Sequence, residues 1–404
     1  MKHTYAASLT AAALAVATLT GCGAASSSGS AGPSGSTGSS SAGVTDDAIT
    51  LGASYPLTGV VSASCVPIVR GAQAWIDKVN AEGGVNGRQI KIEALDDAYQ
   101  APKALSNARE LAQKPAFAFF NGCGSIAPTS IQQVAKPDNI PFLLPAVGRT
   151  ASNEGPNFFT MMPSYAAQLS GLVPWALKNG GTGSVLLVNT KLPDSAATAT
   201  AVENAVKDSG GTFLGTETVS VGEPDFGPLV LKLKQQRPDY LVFNGTPDDG
   251  TKLFTTISAQ DAFPAKKILM TAPLAYADFI SKTTNADERL VISLPTVPWG
   301  DPAAKECEDA FNAASPKVQS TGFSLFACAS AQLLVQTLKD TGKDLTREGV
   351  IKTLEGYKDK QFSQLLAPVT FSSTQHTGLQ KMYVVTNQGG ALKTLDTFPL
   401  NSGN

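Results

Sequence analysis

The sequence predicts an α/β protein of two doubly wound lobes, each with a parallel β-sheet covered by helices. The chain has 404 residues, and this length is more than a single hydrophobic core usually organises. Hydrophobic residues make up 42% of the chain. Segments with strand periodicity alternate with segments of helical periodicity, and the connections between them are short. Because strands separated by helices pair in parallel, with helices on both sheet faces, this alternation predicts doubly wound sheets.

The first lobe is predicted from elements that begin near residue 49. The run at 49–55 is short and apolar, as in a buried strand, and a Pro-containing turn follows it. Apolar residues spaced by three and four at 69–79 predict a helix that ends at a Gly-Gly pair. The same criteria predict strands at 90–94, 116–120, 140–144 and 158–162, and helices near 104–112 and 131–134.

A second series of elements predicts the second lobe. Its strands are expected at 185–189, 212–219, 240–243 and 268–270, and its helices near 165–178, 195–208, 226–236 and 249–260. Residues 303–355 are predicted to be mostly helical. A Gly389-Gly390 pair between 382–386 and 392–395 predicts a hairpin.

The amino terminus is typical of an exported protein. Residues 1–21 have a basic start and an apolar stretch, as in a signal peptide, and the segment Leu19-Thr20-Gly21-Cys22 resembles a bacterial lipobox. This resemblance implies that Cys22 carries a lipid that anchors the protein to the outside of the cell membrane. Residues 22–45, rich in Ser, Gly and Ala, are predicted to form a flexible tether with a reach of roughly 25 Å.

The net charge argues against a nucleic-acid-binding protein, and the cysteine content predicts disulfide bonds. The net charge of −2 gives no basic excess for nucleic-acid phosphates, so we expect no nucleic-acid partner. Apart from Cys22, the chain has four cysteines, for which three pairings exist. We predict the disulfides Cys65–Cys123 and Cys307–Cys328, because each pair falls within one predicted lobe; four buried thiols are the alternative.

The sequence offers little catalytic chemistry. Of its two histidines, His3 lies in the predicted signal peptide and His376 in a turn-like stretch, where we expect it to be solvated. We therefore predict no enzyme, no metal and no cofactor. The acidic pairs Asp96-Asp97 and Asp248-Asp249 are each expected to supply a cap and a cleft or surface group, not an acid/base couple.

The loop 122–127, with the sequence GCGSIA, follows a strand and opens a helix, as dinucleotide-binding loops do. The acidic residue that would hold a ribose is missing after the next predicted strand. We therefore interpret the loop as a carboxylate cradle, in which Ser125 and the amides of the helix amino terminus bind an anion. A purely structural turn is the alternative.

Four segments resemble the substrate-binding proteins of ABC transporters of the branched-chain amino acid group, which have the type I periplasmic binding-protein fold. They are ITLGASYPLTG (49–59), GAQAWIDKVNAEGGVNGRQIKIEALDD (71–97), NGCGSIAPTSIQQVAKPDNIPFLLPAV (121–147) and DFGPLVLKLKQQRPDYLVFNG (225–245). The resemblance covers residues 46–396. It implies three crossovers near residues 162, 294 and 364, with 46–162 and 295–364 forming lobe 1 and 163–294 and 365–404 forming lobe 2.

The family also implies a function: a monomer whose cleft closes on a small solute and which then docks on ABC transporter permease subunits. A ligand-sensing module of the same fold is an alternative. An exported NAD-dependent oxidoreductase that uses the glycine loop is the rival from another class.

The resemblance assigns ligand contacts residue by residue. In lobe 2, Leu192 and Thr246 occupy positions where the family has tyrosines, and residues 271–274 lack the Glu that pairs with the ligand ammonium. Tyr55, Tyr99 or Asp248 is expected to replace that Glu. The lobe 1 contacts, which lack the family's Thr hydroxyl, are Ser125, Ile126, Ala146, Val147 and Gly148.

These assignments predict a small carboxylate-bearing solute with an apolar body. Apolar or branched-chain amino acids come first, and simple organic acids follow closely. Arg149 either holds a second acidic group of the solute or is a solvated loop residue.

Overall fold

The computed structural model describes residues 41–400 except Val60, Pro115, Ser125, 149–154, Pro193, Ala265, 284–285 and Gln319. The predicted signal peptide, Cys22 and most of the predicted tether lie outside the described residues, as do the predicted ligand contact Ser125 and the neighbouring Arg149.

In the described part of the chain, five strands form a parallel sheet. They are β1 (Ala48–Tyr55), β2 (Gln89–Asp96), β3 (Ala118–Phe120), β4 (Phe142–Leu143) and β5 (Phe158–Phe159), in the spatial order β2-β1-β3-β4-β5. The central strands consist mostly of apolar residues, and nearly all of their residues are buried, as is typical of strands covered on both faces in parallel sheets. The connecting helices are α1 (Ser62–Ala81), α2 (Ala101–Gln113) and α3 (Ile126–Ala135).

The second sheet, counted over the same described residues, has seven strands. They are β6 (Ser184–Thr190), β7 (Thr212–Val219), β8 (Tyr240–Asn244), β9 (Lys267–Thr271), β10 (Leu290–Leu294), β11 (Lys381–Gln388) and β12 (Ala391–Pro399). Their spatial order is β12-β11-β10-β9-β8-β6-β7. The helices of this lobe are α4 (Tyr165–Gly180), α5 (Ser195–Asp208), α6 (Gly227–Gln236), α7 (Pro247–Ala259) and α8 (Ala277–Lys282).

The second sheet is mixed. Strands β6 to β10 pair in parallel, whereas β11 pairs antiparallel with both β10 and β12. The predicted hairpin at Gly389-Gly390 is therefore confirmed. Its two glycines have positive φ angles of 63° and 88°, a conformation that glycine adopts without steric cost.

Three further helices, α9 (Lys305–Ala314), α10 (Gly322–Thr341) and α11 (Arg347–Glu355), follow the last parallel strand of the second sheet. Nevertheless α9 and α10 pack against α1 of the first lobe. The disulfide Cys307–Cys328 joins α9 to α10, and Cys65–Cys123 joins α1 to the loop after β3. Both predicted disulfides are thus present.

The chain passes between the lobes at segments that lie side by side. The Thr160 amide donates to the His376 carbonyl at 2.9 Å, and the Gly378 amide donates to the Thr160 carbonyl at 2.8 Å. The Val297 amide donates to the Leu365 carbonyl at 2.9 Å. These positions adjoin the three crossovers expected from the sequence, while the residue limits of the lobes stay a prediction.

The solvated position expected for His376 is wrong. The imidazole is only 7% exposed and stacks on Phe159, with ring centroids 4.0 Å apart. Its Nδ1 lies 3.0 Å from the Phe158 carbonyl oxygen, and Nε2 lies 3.7 Å from a Glu355 carboxylate oxygen. A bridge between Thr160 and Thr377 brings the turn back against β5, and this pairing buries the ring.

None of the helices in the residues described is both long and apolar enough to cross a bilayer.

Candidate functional site

A cavity of about 520 Å³ lies between the two sheets, at the carboxyl ends of their parallel strands. The loops after β2, β3 and β4 line it from the first lobe, and the loops after β6, β8 and β9 line it from the second. Ligands of open α/β sheets bind at this edge of the sheet. The apolar part of the lining includes Val61, Ile68, Ala146, Val147, Leu192 and Phe323.

The loop after β2 is built around the two predicted acidic residues. Buried Asp97 accepts the Ser54 hydroxyl at 2.8 Å and the Tyr99 amide at 2.8 Å, so that Tyr99 is held at the cavity with a φ of 61°. Burial raises the pKa of Asp97. Burial also acts to raise the pKa of Asp96, but hydrogen bonds from the Thr58 hydroxyl and from backbone amides outweigh it and lower that pKa.

Two tyrosine rings cover two glycines of the first lobe. A Cβ atom added to Gly124, whose φ is 69°, would lie 2.8 Å from Cε2 of Tyr99. A Cβ atom added to Gly148 would lie 2.8 Å from Cε1 of Tyr165, which comes from the start of α4. The rings therefore need glycine at both positions, in the loops after β3 and β4.

Tyr165 and Asp194 place polar groups in the cavity from the second lobe. Burial raises the pKa of the Tyr165 hydroxyl, and the nearby Asp194 charge and Tyr99 raise it further. The phenol therefore stays protonated near neutral pH, so its hydroxyl is able to donate a hydrogen bond to a ligand. Within the described lining, Asp194 is the only charged side chain. The described residues contain no group of His, Cys, Asp and Glu arranged to hold a metal ion.

The disulfide Cys65–Cys123 is part of the cavity wall, since both cysteines belong to the lining. It connects the first turn of α1, where Ser64 also faces the cavity, to the glycine loop after β3. This bond fixes one wall of the cavity relative to the loop predicted to hold a carboxylate.

The structure brings together most of the contacts predicted from the sequence. Ile126 opens α3 beside the cavity without belonging to the lining, and Ser125 and Arg149 lie outside the described residues. The predicted residues found in the lining are Ala146, Val147, Gly148, Tyr99, Leu192 and Thr246.

Two predicted contacts do not line the cavity, and these assignments need correction. Tyr55 is fully buried at the end of β1, inside the core of the first lobe. Asp248 is exposed on the first turn of α7. Its neighbour Asp249 is the buried member of the pair, and its carboxylate accepts the Thr246 hydroxyl at 2.7 Å and the Gly222 amide at 3.0 Å.

Sequence reasoning missed Tyr165 and Asp194, although each had a local signal. Tyr165 follows Ser164, which caps α4 by accepting the Ala167 amide at 3.2 Å, directly after a predicted strand. Asp194 stands at the amino-terminal cap position of α5, a place that Asp favours. Phe323, at the start of α10, had no such signal, because α10 follows the second-lobe strands in sequence.

A family model described as periplasmic binding protein matches residues 48–391. Among curated relatives, the Leu/Ile/Val-binding protein BraC3 of Rhizobium johnstonii is 23% identical over 328 residues, which cover 81% of this chain and 88% of the relative. The Leu/Ile/Val-binding protein homolog 3 of Brucella melitensis is 24% identical over 332 residues, which cover 81% of this chain and 88% of the relative.

Solved structures share the fold. The fatty acid ABC transporter substrate-binding protein of Thermomonospora curvata matches with a TM-score of 0.78 at 20% identity, covering 90% of this chain and 95% of that one. The branched-chain amino acid transporter substrate-binding protein of Streptococcus pneumoniae, in complex with isoleucine, matches with a TM-score of 0.74 at 19% identity, covering 87% and 100%. An R. palustris solute-binding protein in complex with benzoate matches with a TM-score of 0.73 at 18% identity, covering 88% and 98%.

Proposed function

The chain belongs to the periplasmic binding-protein family, and from this membership we propose that it captures a small solute between its lobes and delivers it to an ABC importer. Proteins of this family bind solutes outside the cytoplasm and are not enzymes, so the expected absence of catalysis is confirmed at the level of the family. The observation that carries the proposal is the largely apolar cavity where the strand ends of both lobes meet.

The solute that this cavity suits is a small carboxylate with an apolar body. Apolar side chains from both lobes cover most of the space, and the glycine loop leads into α3, whose amino-terminal end carries the partial positive charge that favours an anion. Isoleucine, benzoate and fatty acids, which occur in the names of the similar structures, are all carboxylic acids on apolar skeletons. Apolar amino acids and simple organic acids are therefore the compounds to screen.

A thermal-shift screen tests the proposed function. A solute at roughly 100 to 1,000 times its dissociation constant should stabilise the protein by about 3 to 4 kcal/mol. The proposal requires that at least one apolar carboxylate does so and that NAD(H) does not. Stabilisation by a nicotinamide dinucleotide alone would contradict it.

We expect Ser125→Ala to weaken binding of the solute found in that screen by about 1–3 kcal/mol, because a charge-assisted hydrogen bond to the carboxylate is lost. Isothermal titration calorimetry measures the change. Ser281→Ala is the control: Ser281 is exposed and outside the described cavity lining, and its hydroxyl donates to the Asp278 carbonyl of its own helix, so its loss should leave affinity unchanged. Unchanged affinity in Ser125→Ala would exclude the carboxylate cradle.

We further propose that Cys22 is lipidated and anchors the body through the tether. The lipobox-like segment and the Ser/Gly-rich composition that follows it support this. In the native host, Cys22→Ser should move the protein from the membrane fraction to a soluble fraction, and fatty-acid labelling should disappear. Retention of label in Cys22→Ser would exclude lipidation at this residue.

A further inference from the structure

The segment 372–380, which leads from the third crossover into β11, carries the buried His376. The Thr160 amide donates to the His376 carbonyl at 2.9 Å, and an isolated bridge pairs Thr160 with Thr377. The His376 ring stacks on Phe159 of β5, with ring centroids 4.0 Å apart. The side chain therefore fastens a segment that runs between the lobes to a strand of the first sheet.

The two ring nitrogens of His376 have different surroundings. Nδ1 lies 3.0 Å from the Phe158 carbonyl oxygen, which can only accept, so Nδ1 carries the hydrogen of the neutral ring. Nε2 then presents a lone pair. Among the described residues this buried atom has no hydrogen-bond partner, and a Glu355 carboxylate oxygen lies 3.7 Å from it. In the neutral form, a buried polar atom is thus left without a partner and next to a negative charge, which is unfavourable.

A proton on Nε2 turns this contact into an attraction. Imidazole groups gain a proton between about pH 8 and pH 5. The N–H⁺ at Nε2 then faces the Glu355 carboxylate, and a charged donor and a charged acceptor bind each other more strongly than neutral groups do. The imidazole is buried and the Glu355 side chain is only 28% exposed, so salt screens this pair less than it screens a fully exposed one. Because Glu355 ends α11, the proton links α11 to the segment 372–380.

Glu355 is the acid that faces the imidazole. β5 consists of two phenylalanines and offers no titratable group, and Tyr357, which follows α11, directs its hydroxyl to Asp340 at 2.8 Å. Within the described residues, the contact with Glu355 is the ion pair that the structure places at His376. The other histidine of the chain, His3, lies in the predicted signal peptide. Any histidine-linked effect of pH on the folded body is therefore assigned to His376.

We propose that His376 and Glu355 form a proton-dependent ion pair that holds the segment 372–380 against the first lobe in acid and releases it towards pH 8. Because this segment runs between the lobes, the ion pair makes the hinge of the protein respond to pH. The inference goes beyond the proposed function, since it depends on the fold and not on the identity of the solute.

A double-mutant cycle at two pH values tests the ion pair. Wild type, Glu355→Gln, His376→Asn and the double variant are unfolded with urea at pH 5.5 and at pH 8.0. His376→Asn keeps a donor near the place of Nδ1 and removes Nε2. The coupling between the two residues should change the unfolding equilibrium constant by roughly three- to tenfold at pH 5.5 and by less than about twofold at pH 8.0. The cycle cancels the loss of ring stacking and the general effect of pH on stability.

Hydrogen exchange tests the effect on the hinge. Peptides that cover 372–380 are followed by mass spectrometry, and the exchange rates are corrected for the intrinsic effect of pH. In wild type the protection of this segment should rise by roughly three- to tenfold from pH 8.0 to pH 5.5, whereas Glu355→Gln should show no such rise. Glu203→Gln is the control, because Glu203 pairs with Lys207 on another helix and both groups are charged at both pH values. This variant should keep the wild-type response of the segment.

Each outcome decides one part of the inference. Equal coupling at the two pH values would overturn the dependence on a proton. A pH-dependent coupling without a change in the protection of 372–380 would overturn the role at the hinge. If His376→Asn does not fold, the ratio of the unfolding constants of wild type and Glu355→Gln at the two pH values makes the same test. None of these measurements uses a solute, so a failure here leaves the proposed function untouched.

Discussion

Replacing Cys65 and Cys123 by serine is expected to lower the free energy of unfolding by about 4 kcal/mol and to weaken solute binding. The disulfide joins residues separated by 58 positions, and the loop-closure entropy of an unfolded chain this long gives an effect of that size. Because both cysteines line the cavity, the change also frees the first turn of α1 from the glycine loop. Urea denaturation and calorimetry with the identified solute measure the two effects.

The second disulfide provides a matched control. Cys307 and Cys328 are separated by 21 positions and join α9 to α10, and neither cysteine belongs to the cavity lining. Their replacement by serine should cost about 3 kcal/mol in unfolding free energy and leave the affinity of the folded protein unchanged. Equal losses of affinity in the two double variants would show that the Cys65–Cys123 bond has no special role at the site.

The fold was predictable because its signals are local and periodic. The apolar runs that became β1, β6 and β8 and the three-and-four spacing that became α1 each follow from burial of one segment against its neighbours. The disulfide pairing was predicted correctly, although assignment to a lobe did not by itself decide it, because all four cysteines fall within the two segments, 46–162 and 295–364, that are assigned to lobe 1. β4 and β5 are shorter than the predicted runs at 140–144 and 158–162, because only two residues of each lie in paired register with a neighbouring strand.

The site was only partly predictable, because side-chain direction depends on packing between distant segments. Tyr55 ends a strand that points to the cavity, but its ring turns into the core. Asp248 and Asp249 are adjacent on a helix, where successive side chains diverge by about 100°, so one is exposed when the other is buried. The meeting of Tyr165 with Asp194 joins two elements whose contact no periodic pattern encodes.

The close approach of α1 to α10 at Gly71 is another contact of this kind, and it links stability to the cavity. A Cβ atom added to Gly71 would lie 2.3 Å from the carbonyl oxygen of Ser324 and 3.0 Å from its Cα. These are backbone atoms, which no change of rotamer can move away. Ser324 adjoins Phe323, and the first turns of both α1 and α10 line the cavity.

Gly71→Ala is therefore expected to lower the free energy of unfolding by about 3 kcal/mol, because the two helices must separate to admit one methyl group. The sign of this change in unfolding free energy is informative. Alanine in a helix interior is intrinsically favoured over glycine by about 1 kcal/mol, so a loss of stability must come from the contact between the helices. Separation of the helices would also shift Phe323, so solute affinity should fall as well.

Gly356→Ala is the control. A Cβ atom added there would lie 3.4 Å from the nearest atom, and Gly356 has a φ of −81°, so this substitution should change the free energy of unfolding by less than about 0.5 kcal/mol. Urea denaturation of both variants, with calorimetry on Gly71→Ala, gives the comparison. A Gly71→Ala protein as stable as the wild type would mean that α1 and α10 are not held together as closely as this structure has them.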